Sequence, residues 1–384
     1  MKIVIAPDSF KESLTALDVA RAIERGLRAV WPDAECSLLP MADGGEGTVQ
    51  ALVDASGGRR ITETVSDPLG RPVQADYGVV GADPTESTTA VIEMAEASGL
   101  HRVSGHERNP NLTSSRGTGE LIRAALDSGA RRLILGLGGS ATNDGGAGML
   151  AALGARLLDA EGADLPEGGA ALARLSRLDL SALDPRLQHT DLIIASDVTN
   201  PLCGPQGASA VFGPQKGASA EQVKTLDDAL NHFAECLAEA TGIDARHQAG
   251  AGAAGGLGVS LMALGGELKS GIEVVAEAVG LTSAMAGADL VFTGEGKLDG
   301  QTLGGKTPLG VARVAKAANV PVIALGGAMD DDAAALMDAG INALFGSVQR
   351  PMSLPDALAG ATDNLERVAR QVAASIELGR RLAR

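Results

Sequence analysis

Short apolar runs alternate with amphipathic stretches along this chain, and the pattern changes character at identifiable points. Ile3-Val-Ile-Ala6 reads as a buried strand. Thr15-Ala-Leu-Asp18 then offers a capping-box-like helix start, and Val19, Ala22, Ile23, Leu27 and Val30 give that helix one apolar face. Trp31-Pro32 closes it, and Cys36-Ser-Leu-Leu-Pro-Met41 returns as a second strand. This is a βαβ unit with a right-handed crossover. Asp289-Leu-Val-Phe-Thr293, Pro321-Val-Ile-Ala-Leu325 and Asn342-Ala-Leu-Phe-Gly346 repeat the short-strand texture near the other end of the chain, each before a polar or glycine-rich loop. Residues 356–382 read as a covering helix.

The middle of the chain differs. After Gly57-Gly58, Arg60-Ile-Thr-Glu-Thr-Val65 and residues Pro72 to Val80 alternate polar and apolar positions, joined by the turn Asp67-Pro-Leu-Gly70. They predict a β-hairpin, with residues 89–94 as a third strand. Further strands are expected near 132–137 and 191–195, with helices between them. An antiparallel hairpin does not belong inside a parallel doubly wound sheet, so it marks the start of an inserted domain. The expected fold is therefore α/β: a Rossmann-like parallel-sheet domain from residues 1–60 and 285–384, interrupted by a mixed α/β domain over 61–284, with a cleft between them.

Composition narrows the function. Aromatic residues number only five Phe, one Tyr and one Trp, too few for base-stacking platforms. The net charge of −16 opposes binding to nucleic acid or anionic membranes, but not a small anion in a locally basic site. The first apolar run is too short for a signal peptide, and no run is long enough to span a bilayer. The three cysteines, Cys36, Cys203 and Cys236, and the five histidines show no disulfide or metal spacing. A cytoplasmic protein, monomeric or homodimeric, is expected.

Glycine accounts for 51 of the 384 residues, and many sit in loops after predicted strands. The richest is Gly136-Leu-Gly-Gly-Ser-Ala-Thr-Asn-Asp-Gly-Gly-Ala-Gly148, between a strand and a helix. Such a loop lets backbone amides approach an anion, and its small polar residues can orient a phosphate. Pro7-Asp-Ser-Phe-Lys-Glu-Ser13 follows the first strand and Ala42-Asp-Gly-Gly-Glu-Gly-Thr48 the second. Arg116 precedes a helix, Asp197 and Asn200 end the 191–195 strand, and Lys216 lies in Phe212-Gly-Pro-Gln-Lys-Gly217. Glu295, Lys297 and Asp299 point out of Thr293-Gly-Glu-Gly-Lys-Leu-Asp-Gly-Gln-Thr302. Gly300-Gln-Thr-Leu-Gly-Gly-Lys-Thr307 matches a P-loop formally, but it starts too far from its strand, and Pro308 places the helix start too late. A G-x-S-x-G elbow is missing, as is G-x-G-x-x-G after the first strand, which argues against acyl transfer and dinucleotide chemistry. Acids, lysines and glycine loops together suit phosphoryl transfer.

These loops resemble those of the bacterial glycerate kinase type 1 family, also called glycerate 2-kinases. The resemblance rests on residues 6–13, 40–48, 138–146, 196–202, 212–217 and 293–302, in order and across nearly the whole chain. It implies ATP-dependent phosphorylation of D-glycerate with Mg²⁺, in a two-domain α/β protein with one domain inserted in the other. The implied product is mostly 2-phosphoglycerate, in some members 3-phosphoglycerate, and the implied setting is glyoxylate and glycerate metabolism. A kinase of another short hydroxy acid is the alternative. A non-catalytic phosphate or nucleotide sensor would gain nothing from carboxylates at Asp43 and Asp197.

Roles follow for individual residues. Asp197 is expected to accept the proton of the acceptor hydroxyl, with Asp43 as runner-up and Lys11 beside it as a catalytic cation. Asp8, Ser9, Asp43 and Arg116 are expected to bind substrate. Gly138, Gly139, Ser140, Asn143, Lys216 and Lys297 are expected to take the nucleotide phosphates, and Glu295 and Asp299 the metal.

Overall fold

The structure is a computed structural model that describes residues 1–80 and 88–383. The chain forms two compact units, one of residues Met1–Asp43, Gln50–Gly57 and Gly271–Arg384, the other of Gly44–Val49 and Gly58–Ser270. Among the described residues, no helix is long and apolar enough to cross a membrane.

The first unit is built on a five-stranded sheet in the order Ala343–Gly346, Val322–Met329, Leu290–Leu298, Lys2–Ile5, Glu35–Leu38. All four pairings are parallel, with Val4 beside Val291 and Phe292 beside Ile323. These are the five strands that the apolar runs predict. The second ends at Leu38 rather than Met41, just short of Pro40, which has no amide to continue a ladder. The helix Ala16–Arg28 starts where Thr15 caps it, its Oγ1 accepting from the Asp18 amide at 3.2 Å. Its apolar face meets Leu365, Val368 and Val372 of the C-terminal helix over Ile3, Ile5 and Phe292. The expected helix over 356–382 is two: Leu354–Ala359 and Ala361–Leu382 meet at Gly360, a poor helix-interior residue.

The second unit holds a six-stranded mixed sheet in the order Glu267–Lys269, Asp191–Ala195, Arg132–Gly136, Thr89–Glu93, Pro72–Val80, Arg59–Ser66. The first four strands run parallel, and the predicted hairpin and third strand form the antiparallel edge. Asp67 fixes the hairpin turn: its Oδ1 accepts from the Leu69 and Arg71 amides, both at 2.8 Å. With aromatics so scarce, the core is aliphatic, with Leu133, Leu135, Ile92 and Ile194 around buried Phe233 and Tyr77. The periodicity did not show the short strand Glu267–Lys269 or the small antiparallel pair of Arg156–Leu158 and Arg177–Asp179. Three residues are too few to display a period of two.

Helix packing in the first unit depends on one glycine. A Cβ at Gly26 would lie 2.3 Å from the Glu366 carbonyl oxygen and 2.8 Å from the Ala369 methyl. Gly26→Val should force the two helices apart and cost about 1–3 kcal/mol of stability. Urea unfolding at unchanged m-value reads this, and a midpoint equal to wild type would show that the helices shift without penalty.

Candidate functional site

In the first unit, several of the candidate side chains gather at the carboxyl ends of the parallel strands, where α/β sheets bind ligands. Asp8 follows the first strand, and its amide donates to the Gly294 carbonyl at 2.8 Å. Its carboxylate accepts from the Ser9 amide at 2.6 Å and from Thr307 Oγ1 at 2.6 Å. Burial, then the negative charge of Asp43, push the Asp8 pKa up to about 7, with Glu295 adding to the rise. Glu295, nearly buried, accepts from Thr302 Oγ1 at 2.6 Å and lies 3.4 Å from Lys306 Nζ. Burial raises its pKa as well, against the pull of Thr302 and Lys306. Ser9 and Asp43 are half-buried in the same region. Lys11 is exposed, in a tight loop where Glu12 takes a left-handed φ of 61°.

Asp299 caps the 3-10 turn Gly300–Gly304 through the Gln301 amide, and lies 3.4 Å from Lys297, which also pairs with Asp330 at 2.7 Å. That turn fills the segment a P-loop would keep open. Lys306 caps the helix Thr307–Ala317 rather than lying inside it, so the formal P-loop match has no P-loop geometry. Among the described residues, no three His, Cys, Asp or Glu side chains are grouped to hold a metal ion by themselves.

The second unit presents the glycine loop after the strand Arg132–Gly136. Gly138 and Gly139 are exposed, Gly139 with φ of 70°. The next residues turn inward. Asp144 is fully buried and accepts from the Ser115 amide and Ser115 Oγ, both at 2.8 Å, and from the Gly146 and Gly148 amides at 3.2 Å. The amides at the start of the helix Ala147–Ala152 therefore serve the loop's own carboxylate instead of an external anion. Asn143, expected at a phosphate, is fully buried and donates to Ser209 Oγ at 2.9 Å. Lys216, also expected there, is 2% exposed and lies under the loop, its Nζ donating to Ser140 Oγ and the Thr142 carbonyl, both at 2.7 Å. Burial pulls its pKa down to about 7, opposed by the charge of Asp144.

A second glycine segment supports this loop from behind. Ala254, Gly255 and Gly256 are all left-handed, and the Gly255 carbonyl accepts from the Gly145 amide at 3.0 Å. A Cβ on Gly255 would stand 1.9 Å from the Thr142 oxygen. Arg116 opens its helix with its guanidinium paired to Glu167. Asp197 is exposed just beyond the strand Asp191–Ala195, and Asn200 Nδ2 donates to the Gln206 carbonyl at 2.8 Å. Sequence reasoning missed Glu93. This acid ends the apolar strand Thr89–Glu93, is 7% exposed and accepts from the Val49 amide at 2.8 Å. Burial lifts its pKa to about 7. A lone acid closing an apolar run was the available signal.

The model of the glycerate kinase family matches residues 3–377. The chain is 56% identical over 381 residues to a Bacillus subtilis protein named glycerate kinase, covering 99% of each chain. It is 50% identical to the Escherichia coli protein named glycerate 2-kinase, over the full length of both. A crystal structure assigned as glycerate kinase 2 from Salmonella typhimurium LT2 superposes with a TM-score of 0.91 at 51% identity, covering 99% of each chain.

Two outcomes follow from this geometry. Gly255→Ala adds a left-handed strain and a clash that displaces Thr142, so it should cost about 2 kcal/mol or more of stability and weaken ligand binding to the loop. Calorimetric melting with and without ligand checks it, and wild-type values in both would refute the buttress role. Glu93 makes a pH prediction. A carboxyl raised on folding binds its proton more tightly in the folded state, so it costs no stability below its ordinary value near 4.5. The cost grows as pH rises and is complete above its folded value of about 7. Glu93→Gln keeps an acceptor for Val49, so its Tm should equal wild type near pH 4 and exceed it by pH 8. A variant less stable at pH 8 would show that the charged form is the favoured one.

Proposed function

This chain belongs to the glycerate kinase family, and we propose that it transfers the γ-phosphoryl group of ATP to D-glycerate, giving 2-phospho-D-glycerate. The observation that carries the reading is the setting of Asp8: burial, then the charges of Asp43 and Glu295, raises its pKa, and the helix N-terminus at Lys306 and Thr307 adjoins it. Clustered acids cost stability, and a site that handles a hydroxyl proton and a metal-bound polyphosphate gives that cost a use. The E. coli relative's name, glycerate 2-kinase, supports the 2-hydroxyl as acceptor. The reading carries with it a cytoplasmic enzyme of small molecules.

Mg²⁺ takes one or two carboxylates and completes its shell with water and phosphate oxygens, so it needs no cage of three protein acids. Glu295 and Asp299 fit that requirement: both are buried, and each already keeps a lysine ammonium at 3.4 Å. They would hold the ion, which neutralises phosphate charge when bound. Lys11 and Lys297 supply further positive charge, and Gly138 and Gly139 offer exposed backbone to a phosphate. Ser9 and Arg116 would orient the acceptor, Arg116 after release from Glu167. Asp197 would accept the hydroxyl proton. Asp8 is a second candidate for that task, because a base works best with a pKa near the operating pH.

A coupled ADP-release assay tests the reading. ADP should form only when ATP, divalent metal and D-glycerate are all present, and ³¹P–¹³C NMR should show phosphate on C2. Equal ADP formation without glycerate, or faster turnover of another hydroxy acid, would overturn it. Asp197→Asn should lower kcat by about 10²-fold or more with KM values within a few-fold. If Asp8→Asn shows that signature and Asp197→Asn does not, the base is Asp8.

A further inference from the structure

Lys216 lies in the interior of the second unit, only 2% exposed, and it cannot reach a ligand itself. Its Nζ donates to Ser140 Oγ and to the Thr142 carbonyl, both at 2.7 Å. An ammonium has three protons and no lone pair. Ser140 Oγ is therefore the acceptor in that bond, and its own proton must point elsewhere. Ser140 is 8% exposed and follows Gly138 and Gly139, which are open to solvent. A hydroxyl that accepts from a cation is polarised and becomes a stronger donor.

We propose that Ser140 donates a hydrogen bond to an anionic oxygen of the ligand, a carboxylate or a phosphate, and that Lys216 is the positioning residue that aims it. The proposal rests on reading the Gly138–Ser140 segment as a ligand loop. Lys216 acts on the ligand through Ser140, while its bond to the Thr142 carbonyl holds the loop backbone. The charge that acts on it is that of Asp144, buried in the same loop; Arg108 donates to the carbonyl of the preceding residue, Gln215, at 3.5 Å. Loss of the Lys216 proton would give Nζ a lone pair. The Ser140 proton could then turn inward, and the outward donor would be withdrawn. Ligand affinity at this loop should accordingly weaken as pH rises through the neutral range.

The test uses the full chain and the variants Ser140→Ala, Lys216→Met and their combination. Each is measured for KM of ATP and of D-glycerate from pH 6 to 9, and for binding of D-glycerate and of a non-hydrolysable ATP analogue by calorimetry. Ser140→Ala should weaken one ligand by about tenfold or more and leave the other within twofold. Loss for glycerate identifies a carboxylate, and loss for the ATP analogue a phosphate. Lys216→Met should weaken the same ligand, and the double variant should be no worse than the more affected single one, since Lys216 reaches the ligand only by way of the Ser140 hydroxyl. Weakening with rising pH should be present in wild type and absent in Ser140→Ala. If Lys216→Met does not fold, Ser140→Ala and its pH profile decide alone. Unchanged affinity for both ligands in Ser140→Ala, or multiplying losses in the double variant, overturns the proposal. A wild type that phosphorylates no hydroxy acid, yet binds one of these ligands in a Ser140-dependent way, would fail the kinase reading and leave this proposal standing. A fully active Ser140→Ala would do the reverse.

Discussion

The buried carboxylate of Asp144 is the point on which the second unit's glycine loop depends. It accepts from Ser115 at the start of one helix and from Gly146 and Gly148 at the start of another. Two helix N-termini thus converge on one anion, and their partial positive charges offset part of its burial. Removing that carboxylate would leave several buried donors without an acceptor, each worth about 1–3 kcal/mol. Lys216, buried beneath the same loop, bonds to Ser140 and Thr142. The loop is held from within by a buried acid and a buried base, so its exposed glycines can stay free of side chains without becoming slack.

Close packing makes this arrangement rigid. A Cβ at Gly145 would lie 2.7 Å from Phe233, at Gly146 2.9 Å from Ser260, and at Gly148 2.2 Å from Ser114 Oγ. Ser260 Oγ donates to the Gly145 carbonyl at 2.6 Å. These glycines therefore serve close approach of backbone to core, while Gly138 and Gly139 face outward. One glycine-rich stretch divides into a packed half and a presenting half, and only the second is available to a ligand.

The first unit handles charge in the opposite way. Burial, then the charges of Asp43 and Glu295, disfavours the ionised form of Asp8, and burial does the same to Glu295; Thr307 offsets only part of the first, and Thr302 and Lys306 only part of the second. A protein built for stability alone would place other residues there. Local rules broken at one point of an otherwise consistent fold are the mark of a working site.

The sequence by itself determined the layered architecture. Short apolar runs at both ends of the chain named all five strands of the parallel sheet, and the alternating stretches over 60–80 announced the antiparallel edge, because periods of two and 3.6 are local properties. It also singled out candidate loops, since glycine, acid and lysine cluster after predicted strands. Which side chains in those loops can touch a ligand was decided only by the tertiary structure. Asn143, Asp144 and Lys216 read on paper like Ser140, all polar or charged residues of glycine loops. Folding buries the first three almost completely and leaves Ser140, 8% exposed, beside the open glycines, because residues far away in sequence meet there: Ser209 bonds to Asn143, Ser115 to Asp144, and Lys216 itself reaches Ser140 and Thr142. Burial and long-range pairing depend on which segments meet, and no local pattern records that.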